Sequence, residues 1–165
     1  MADLTHMEAN KKVHDLIKGI RIAMLTTQTD QGKLLSRPMG VQEAEFDGTI
    51  YFLTAWDTDK VEELKRHPEV NVAFSNPGKN TYVSVSGTAK VYRDQATIDR
   101  IWSAFDKAWF PKGKEDPNIA VIEIDAHSAE YWDSPSSTVV QLYGVVKATL
   151  TGTPPKGGEN ERVEL

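Results

Sequence analysis

The hydrophobic period of this chain changes at Arg21, and the runs that follow are separated by very short turn signals. Arg21-Ile22-Ala23-Met24-Leu25-Thr26-Thr27 is rich in β-forming residues and ends at Thr29-Asp30-Gln31-Gly32. A second run, Leu34 to Phe46, ends at Asp47-Gly48, a dipeptide suited to a tight hairpin turn, and a third, Thr49 to Thr54, follows at once. Connections this short join antiparallel neighbours, because a parallel pair needs a crossover of about a dozen residues. A three-strand meander is therefore expected. Ahead of it the first 20 residues read as a helix, with Val13, Leu16, Ile17 and Ile20 at helical spacing and Gly19 as C-cap.

Beyond the meander, Asp57-Thr58-Asp59 opens a short helix in which Asp59 and Glu62 fit a capping box, and Pro68 stops it. Strands are expected over Val70–Ser75 and Tyr82–Tyr92, joined by the loop Asn76-Pro77-Gly78-Lys79-Asn80. Asp94 to Trp109 reads as a long helix whose stripe Ile98, Ile101, Trp102, Phe105 and Trp109 packs on the core. Ile119 to Ile124 is a strand, with another expected through Glu130-Tyr131-Trp132. Val139, Leu142, Tyr143, Val146 and Leu150 suggest an amphipathic helix, and the Gly- and Pro-rich stretch from Thr151 an extended or disordered arm. The pattern implies one α+β domain over residues 1–150, an antiparallel six- to seven-stranded barrel with flanking helices, followed by a tail over 151–165.

Composition narrows the function. The 165 residues include no cysteine, which excludes disulfides, thiolate metal sites, iron–sulfur clusters and a cysteine nucleophile. A net charge of −5 without any basic block argues against nucleic acid as a partner. No run approaches the roughly 18–20 apolar residues that span a bilayer, and the N-terminus lacks a secretory pattern, so a cytoplasmic location is expected. The four histidines lack metal-ligand spacing, and no dinucleotide fingerprint, P-loop, nucleophile elbow or zinc-protease motif occurs.

Two places carry chemistry that suits a phosphate. Ser36-Arg37-Pro38-Met39 puts an arginine inside a strand; its plain alternative is an outward-facing side chain beside an edge-strand proline. Thr54-Ala55-Trp56-Asp57-Thr58-Asp59-Lys60 runs from a strand end into a helix N-terminus, where free N–H groups and the helix dipole favour an anion. Its plain alternative is an ordinary N-cap with a solvated Lys60.

The succession Arg37-Pro38-Met39, Asp47-Gly48, Phe52-Leu53-Thr54, then Thr58 and Lys60, resembles the FMN-binding split barrels related to pyridoxamine 5′-phosphate oxidase. Tyr131-Trp132-Asp133-Ser134-Pro135 and Val140-Gln141-Leu142-Tyr143 resemble the general stress protein branch, and the likeness runs from about Glu8 to the C-terminus. The resemblance implies an FMN-binding split barrel in which Arg37, Thr58 and Lys60 hold the phosphate. It also implies that Pro38, Met39, Leu53 and Thr54 line the isoalloxazine, with Trp132 reaching the ring from the dimer-partner side. Homodimers with flavin sites at the subunit interface are implied too.

Several positions depart from the oxidases. Asp59 replaces a second phosphate-binding arginine, Gln42 a lysine, and Tyr82 a glutamine close to the flavin. Ser134–Val140 lacks the Arg-x-His segment that grips the substrate phosphate. Pyridoxamine 5′-phosphate oxidase activity is therefore not expected. Two readings stay open: an oxidoreductase with cofactor-centred chemistry and an NAD(P)H donor, and a non-catalytic flavin store or sensor. FAD or another redox cofactor is the alternative ligand. No catalytic side chain and no metal site is assigned.

Overall fold

The computed structural model describes residues 6–42, 44–134, 145, 147–152 and 158–165. Helix α1 (His6–Ile17) precedes strands β1 (Ile22–Gln28), β2 (Leu34–Gly40) and β3 (Thr49–Ala55). Helix α2 (Asp59–Arg66), strands β4 (Glu69–Asn76) and β5 (Thr81–Tyr92), helix α3 (Gln95–Ile101), β6 (Ile119–Asp133) and β7 (Glu159–Glu164) complete the order. All seven strands form one antiparallel sheet in the order β2-β1-β4-β5-β6-β3, with β7 added on β6. The sheet curls into a split barrel whose open side lies between the edge strands β2 and β3. The expected three-strand meander holds only for its first hairpin. Strand β2 stops at Gly40 and does not pair with β3, which pairs with β6 instead. Asp47-Gly48 therefore closes no hairpin, and Gly48 at φ +109° turns the chain from one edge of the sheet to the other.

The inner face of the curl is the core. Leu25, Phe52, Val72, Phe74, Val85, Ile122 and Ile124 are buried there, and α1 closes one side with Ala9, Val13 and Ile17. A second cluster joins Ile98 and Ile101 of α3 to Leu53, Ile119 and Val121 on the other face of β3 and β6.

Three further expectations within residues 57–133 are corrected. The helix expected from Asp94 to Trp109 stops at Ile101, because Trp102 turns extended at ψ 132°. Asp106 supplies the reason: its buried carboxylate accepts from the Ser103 amide at 2.7 Å, the Ser103 hydroxyl at 2.9 Å and Gln42 Nε2 at 3.0 Å. These local side-chain bonds outcompete continuation of the helix. Phe105 and Trp109 consequently lie 42% and 68% exposed instead of packing on the core. Second, the strands expected on either side of Asp125-Ala126-His127 are one 15-residue strand. Ser86 pairs Ser128 while Gly87 pairs Ala126, so His127 is the extra residue of a β-bulge that bends β6 without breaking it. Third, the N-cap of α2 is Thr58 and not Asp59, so no Asp59–Glu62 capping box forms.

Past residue 151, where an extended or disordered arm was expected, β7 pairs with the far half of β6. Residues 147–151 are helical, while Val139, Leu142, Tyr143 and Val146 of the expected C-terminal helix lie outside the described residues. Tyr131 anchors β7: its ring is buried, its hydroxyl donates to Glu161 at 2.8 Å, and Lys12 of α1 stands 5.3 Å over the ring. Burial and the Glu161 hydrogen bond hold this phenol well above the usual tyrosine range. Tyr131→Phe should lower unfolding stability by about 1 kcal/mol, the net value of one such bond. Hydrogen exchange should show the largest acceleration at the β7 amides.

Candidate functional site

The two phosphate-suited segments meet at the open side of the barrel. Arg37 pairs in register with Leu25, so its side chain shares the inner face with Leu25 and Thr27. Arg37 Nη1 donates to Thr27 Oγ1 at 2.6 Å, and Nη2 lies 3.3 Å from Glu63 Oε2 on α2. Thr27 is itself buried and donates to the same Glu63 oxygen at 2.7 Å. The plain alternative of an outward, solvated arginine does not describe this geometry.

Lys60 approaches from the first turn of α2. Its ammonium donates to the buried Thr54 hydroxyl at 2.6 Å, and among the described residues it pairs with no carboxylate. Burial first, and the Arg37 charge second, hold Lys60 below its ordinary value of 10.5. Thr58 occupies the N-cap position but does not cap: its hydroxyl donates to the Ala55 carbonyl at 3.1 Å. The first turn of α2 thus has no side-chain cap, and the ordinary N-cap alternative fails as well. Two cations facing one carboxylate, beside an uncapped helix start, form a site for an anion with several oxygen acceptors.

The remaining expected residues sit differently. Met39 is buried on the inner face two residues beyond Arg37, while Pro38 points outward opposite Met24. Leu53 is buried in the α3 cluster, on the face of β3 opposite that of Thr54. Trp132 is outside the cation cluster; it pairs with Tyr82 on the outer face of the sheet, each 41% exposed. Gln42 is buried against Asp106, and Asp59 is exposed at the start of α2.

Thr27 and Glu63 escaped the sequence reading although both left a signal. Ala23, Leu25 and Thr27 alternate on one face of β1, which puts a hydroxyl on the core side. Glu63 follows Lys60 by three residues on α2, a spacing that brings two side chains to one helix face.

The desolvated cation has a measurable cost. Because the folded-state value of Lys60 is depressed, its charged form destabilises the fold below that value, and the penalty fades as pH rises towards 10.5. At neutral pH the penalty is fully present. Lys60→Met should therefore raise Tm by about 2 °C without ligand, and added phosphate should stabilise the parent more than the variant.

The sequence pattern of the family described as pyridoxamine 5′-phosphate oxidase like matches residues 8–156. The chain belongs to that family. Within it, general stress protein 26 of Bacillus subtilis is 31% identical over 143 residues, spanning 84% of this chain and 99% of that protein. A solved structure of a general stress protein 26 from Jannaschia sp. CCS1 superposes with TM-score 0.76 at 30% identity, covering all of both chains. The structure named general stress FMN/FAD binding protein, from Xanthomonas citri, gives TM-score 0.68 at 33% identity over 79% of this chain and 92% of that one. The split barrel and the general stress branch are thus both shown. Among the described residues of this family member, no helix is long and apolar enough to cross a membrane, and no group of three or more His, Asp or Glu side chains could hold a metal ion.

Proposed function

We propose that this chain is a flavin-binding protein of the general stress type, holding FMN by its phosphate. The observation that carries the reading is the convergence of Arg37 and a desolvated, carboxylate-free Lys60 beside the uncapped start of α2. Arg37, Lys60, Thr54 and Thr58 fit a terminal phosphate, while Met39, on the same strand face as Arg37, packs into the core beneath them. The relative named for FMN/FAD binding makes FAD the alternative ligand. A bound flavin supplies hydride and single-electron chemistry; the protein binds, orients and shields it.

A homodimer belongs to the same reading. The outer face of the sheet carries Ile22, Met24, Tyr82 and Trp132, all at least 40% exposed, around Pro38, Ala73 and Ser75. A continuous apolar face of this kind marks a protein contact. On this reading Trp132 serves the flavin of the partner chain, in keeping with its place outside the cation cluster of its own chain.

The test is the visible spectrum of the purified protein, chromatography of the chromophore released by heat, and light scattering. A flavin band resolving to FMN on a two-chain particle is expected, and a colourless protein with no affinity for added FMN or FAD overturns the reading. Bleaching by NAD(P)H with turnover on an acceptor would make the protein an oxidoreductase; a flavin that NAD(P)H does not reduce would make it a carrier or sensor. The sequence Ser134–Val140 holds no arginine or histidine to clamp a substrate phosphate, which supports a substrate other than pyridoxamine 5′-phosphate.

A further inference from the structure

Lys60 has a chemistry that phosphate binding alone does not use. Lys11, Lys12, Lys18, Lys65 and Lys114 each pair with a carboxylate, which keeps an ammonium protonated and its nitrogen without a lone pair to give. Lys60 has the opposite surroundings. It is half-buried, its ammonium donates to the Thr54 hydroxyl and, among the described residues, to no carboxylate, and the charge acting on it is that of another cation, Arg37. Burial and that cation hold the amine below the usual 10.5, so at a given pH more of it is neutral than of an exposed lysine. A lysine desolvated beside a second cationic group is a recurrent arrangement for a nucleophilic amine.

A nucleophile becomes selective only when its electrophile is docked, and Arg37 provides the dock. Thr27 and Glu63 fix the guanidinium through Nη1 and Nη2, and its remaining N–H groups suit phosphate oxygens. Glu63 follows Lys60 by three residues on the same face of α2, so the arginine that Glu63 holds stands beside Lys60.

We infer that Lys60 is an acylation site for acyl phosphates, whose phosphate end docks on Arg37 and whose acyl carbon then lies against Lys60 Nζ. In such a molecule a single bridging oxygen separates the electrophilic carbon from phosphorus, so an anion held between the two cations brings that carbon to the amine. The neutral Nζ adds to the acyl carbon, and the carbonyl electron pair moves to oxygen as the N–C bond forms. When that pair returns, the bond from the acyl carbon to the bridging oxygen breaks, and inorganic phosphate leaves with its electrons. Nζ gives its extra proton to water, and the product is a neutral amide; nothing is oxidised or reduced. The amide carries no charge for a phosphate, so acylation closes the site as Lys60→Ala does. The inference rests on the anion site of the proposed function and not on the flavin.

The probes are acetyl phosphate and the uncharged ester N-acetoxysuccinimide, each incubated with protein dialysed free of flavin, while mass spectrometry follows acetylation at every lysine. With acetyl phosphate, Lys60 should react at least about tenfold faster than the exposed Lys33 and Lys90. With the uncharged ester that lead should shrink, because nothing docks it. Arg37→Ala should lower the ratio of the two rates at Lys60 by about tenfold. Inorganic phosphate should protect Lys60 from acetyl phosphate in the parent, which keeps the test decisive if Arg37→Ala does not fold. Lys60 reacting no faster than Lys33 and Lys90, or a lead that neither inorganic phosphate nor Arg37→Ala reduces, overturns the inference. Protection by inorganic phosphate without protection by saturating FMN would sink the flavin reading and leave this one standing. A flavoprotein whose dialysed form shows no preference for Lys60 would do the reverse.

Discussion

With FMN held as proposed, Arg37→Ala and Lys60→Ala should each weaken FMN binding by about ten- to a hundredfold while leaving the barrel folded. Each removes a charge-assisted phosphate contact worth roughly 1.5–3 kcal/mol. Neither side chain fills the core; their partners are Thr27 and Glu63 in one case and Thr54 in the other. Riboflavin is the informative control, because it shares the ring and lacks the phosphate. Its affinity should be nearly unchanged in both variants, and a parallel loss for riboflavin and FMN would mean that these residues shape the ring site or the fold. The two substitutions also differ in what they leave behind. Without Arg37, the Glu63 carboxylate faces the phosphate directly, so part of the loss is repulsion. Adding Glu63→Gln to Arg37→Ala should recover part of the affinity, whereas Lys60→Ala exposes no new carboxylate. Fluorescence titration of the four proteins reads all of this.

The residues of this site were legible in the sequence to different depths. Arg37, Lys60, Thr54 and Thr58 stand out because cations and hydroxyls beside a strand end and a helix start have a simple physical use. Their partners did not, since the contact between β2 and α2 that brings Glu63 to Arg37 spans 26 residues. The β1–β2 hairpin was readable because its tight turn constrains a neighbouring pair locally, whereas the expected pairing of β3 with β2 failed because β3 finds its partner in β6, far along the chain. The helix after Asp94 was misread because an apolar stripe at helical spacing says nothing about a buried carboxylate. Asp106 stops that helix through its bonds to Ser103, and the Gln42 amide that also holds its carboxylate lies 64 residues away in sequence. The polar residues Asp125, His127 and Ser128 looked like a break for a similar reason: the bulge that accommodates them is set by β5, not by β6 itself.

That bulge carries the largest expected effect on stability. A Cβ built on Gly87 would lie 2.4 Å from the Asp125 carbonyl oxygen, 2.8 Å from Ile124 Cγ2 and 3.1 Å from Ala126 Cα. The first and last of these are backbone atoms of β6, so no rotamer change relieves them. Gly87 has no positive φ, and what it contributes is room for the backbone to approach closely at the point where His127 is inserted. Gly87→Ala must push β5 and β6 apart at the bulge, and these are the two long central strands that also carry β4, β3 and β7. Overpacking of this kind costs about 3 kcal/mol, towards the upper end for a single methyl because the opposing atoms are backbone. For a chain of this length that corresponds to a fall in Tm of about 6–12 °C. The effect should extend to the site only indirectly: Arg37 and Lys60 sit on β2 and α2, away from the bulge. FMN affinity measured well below the new Tm should therefore stay within about twofold of the parent. A Gly87→Ala protein with unchanged Tm would show that the β5–β6 bulge is looser than its atomic spacing implies. A large loss of FMN affinity in a folded variant would instead reveal that the bend it sets in β6 reaches the flavin site.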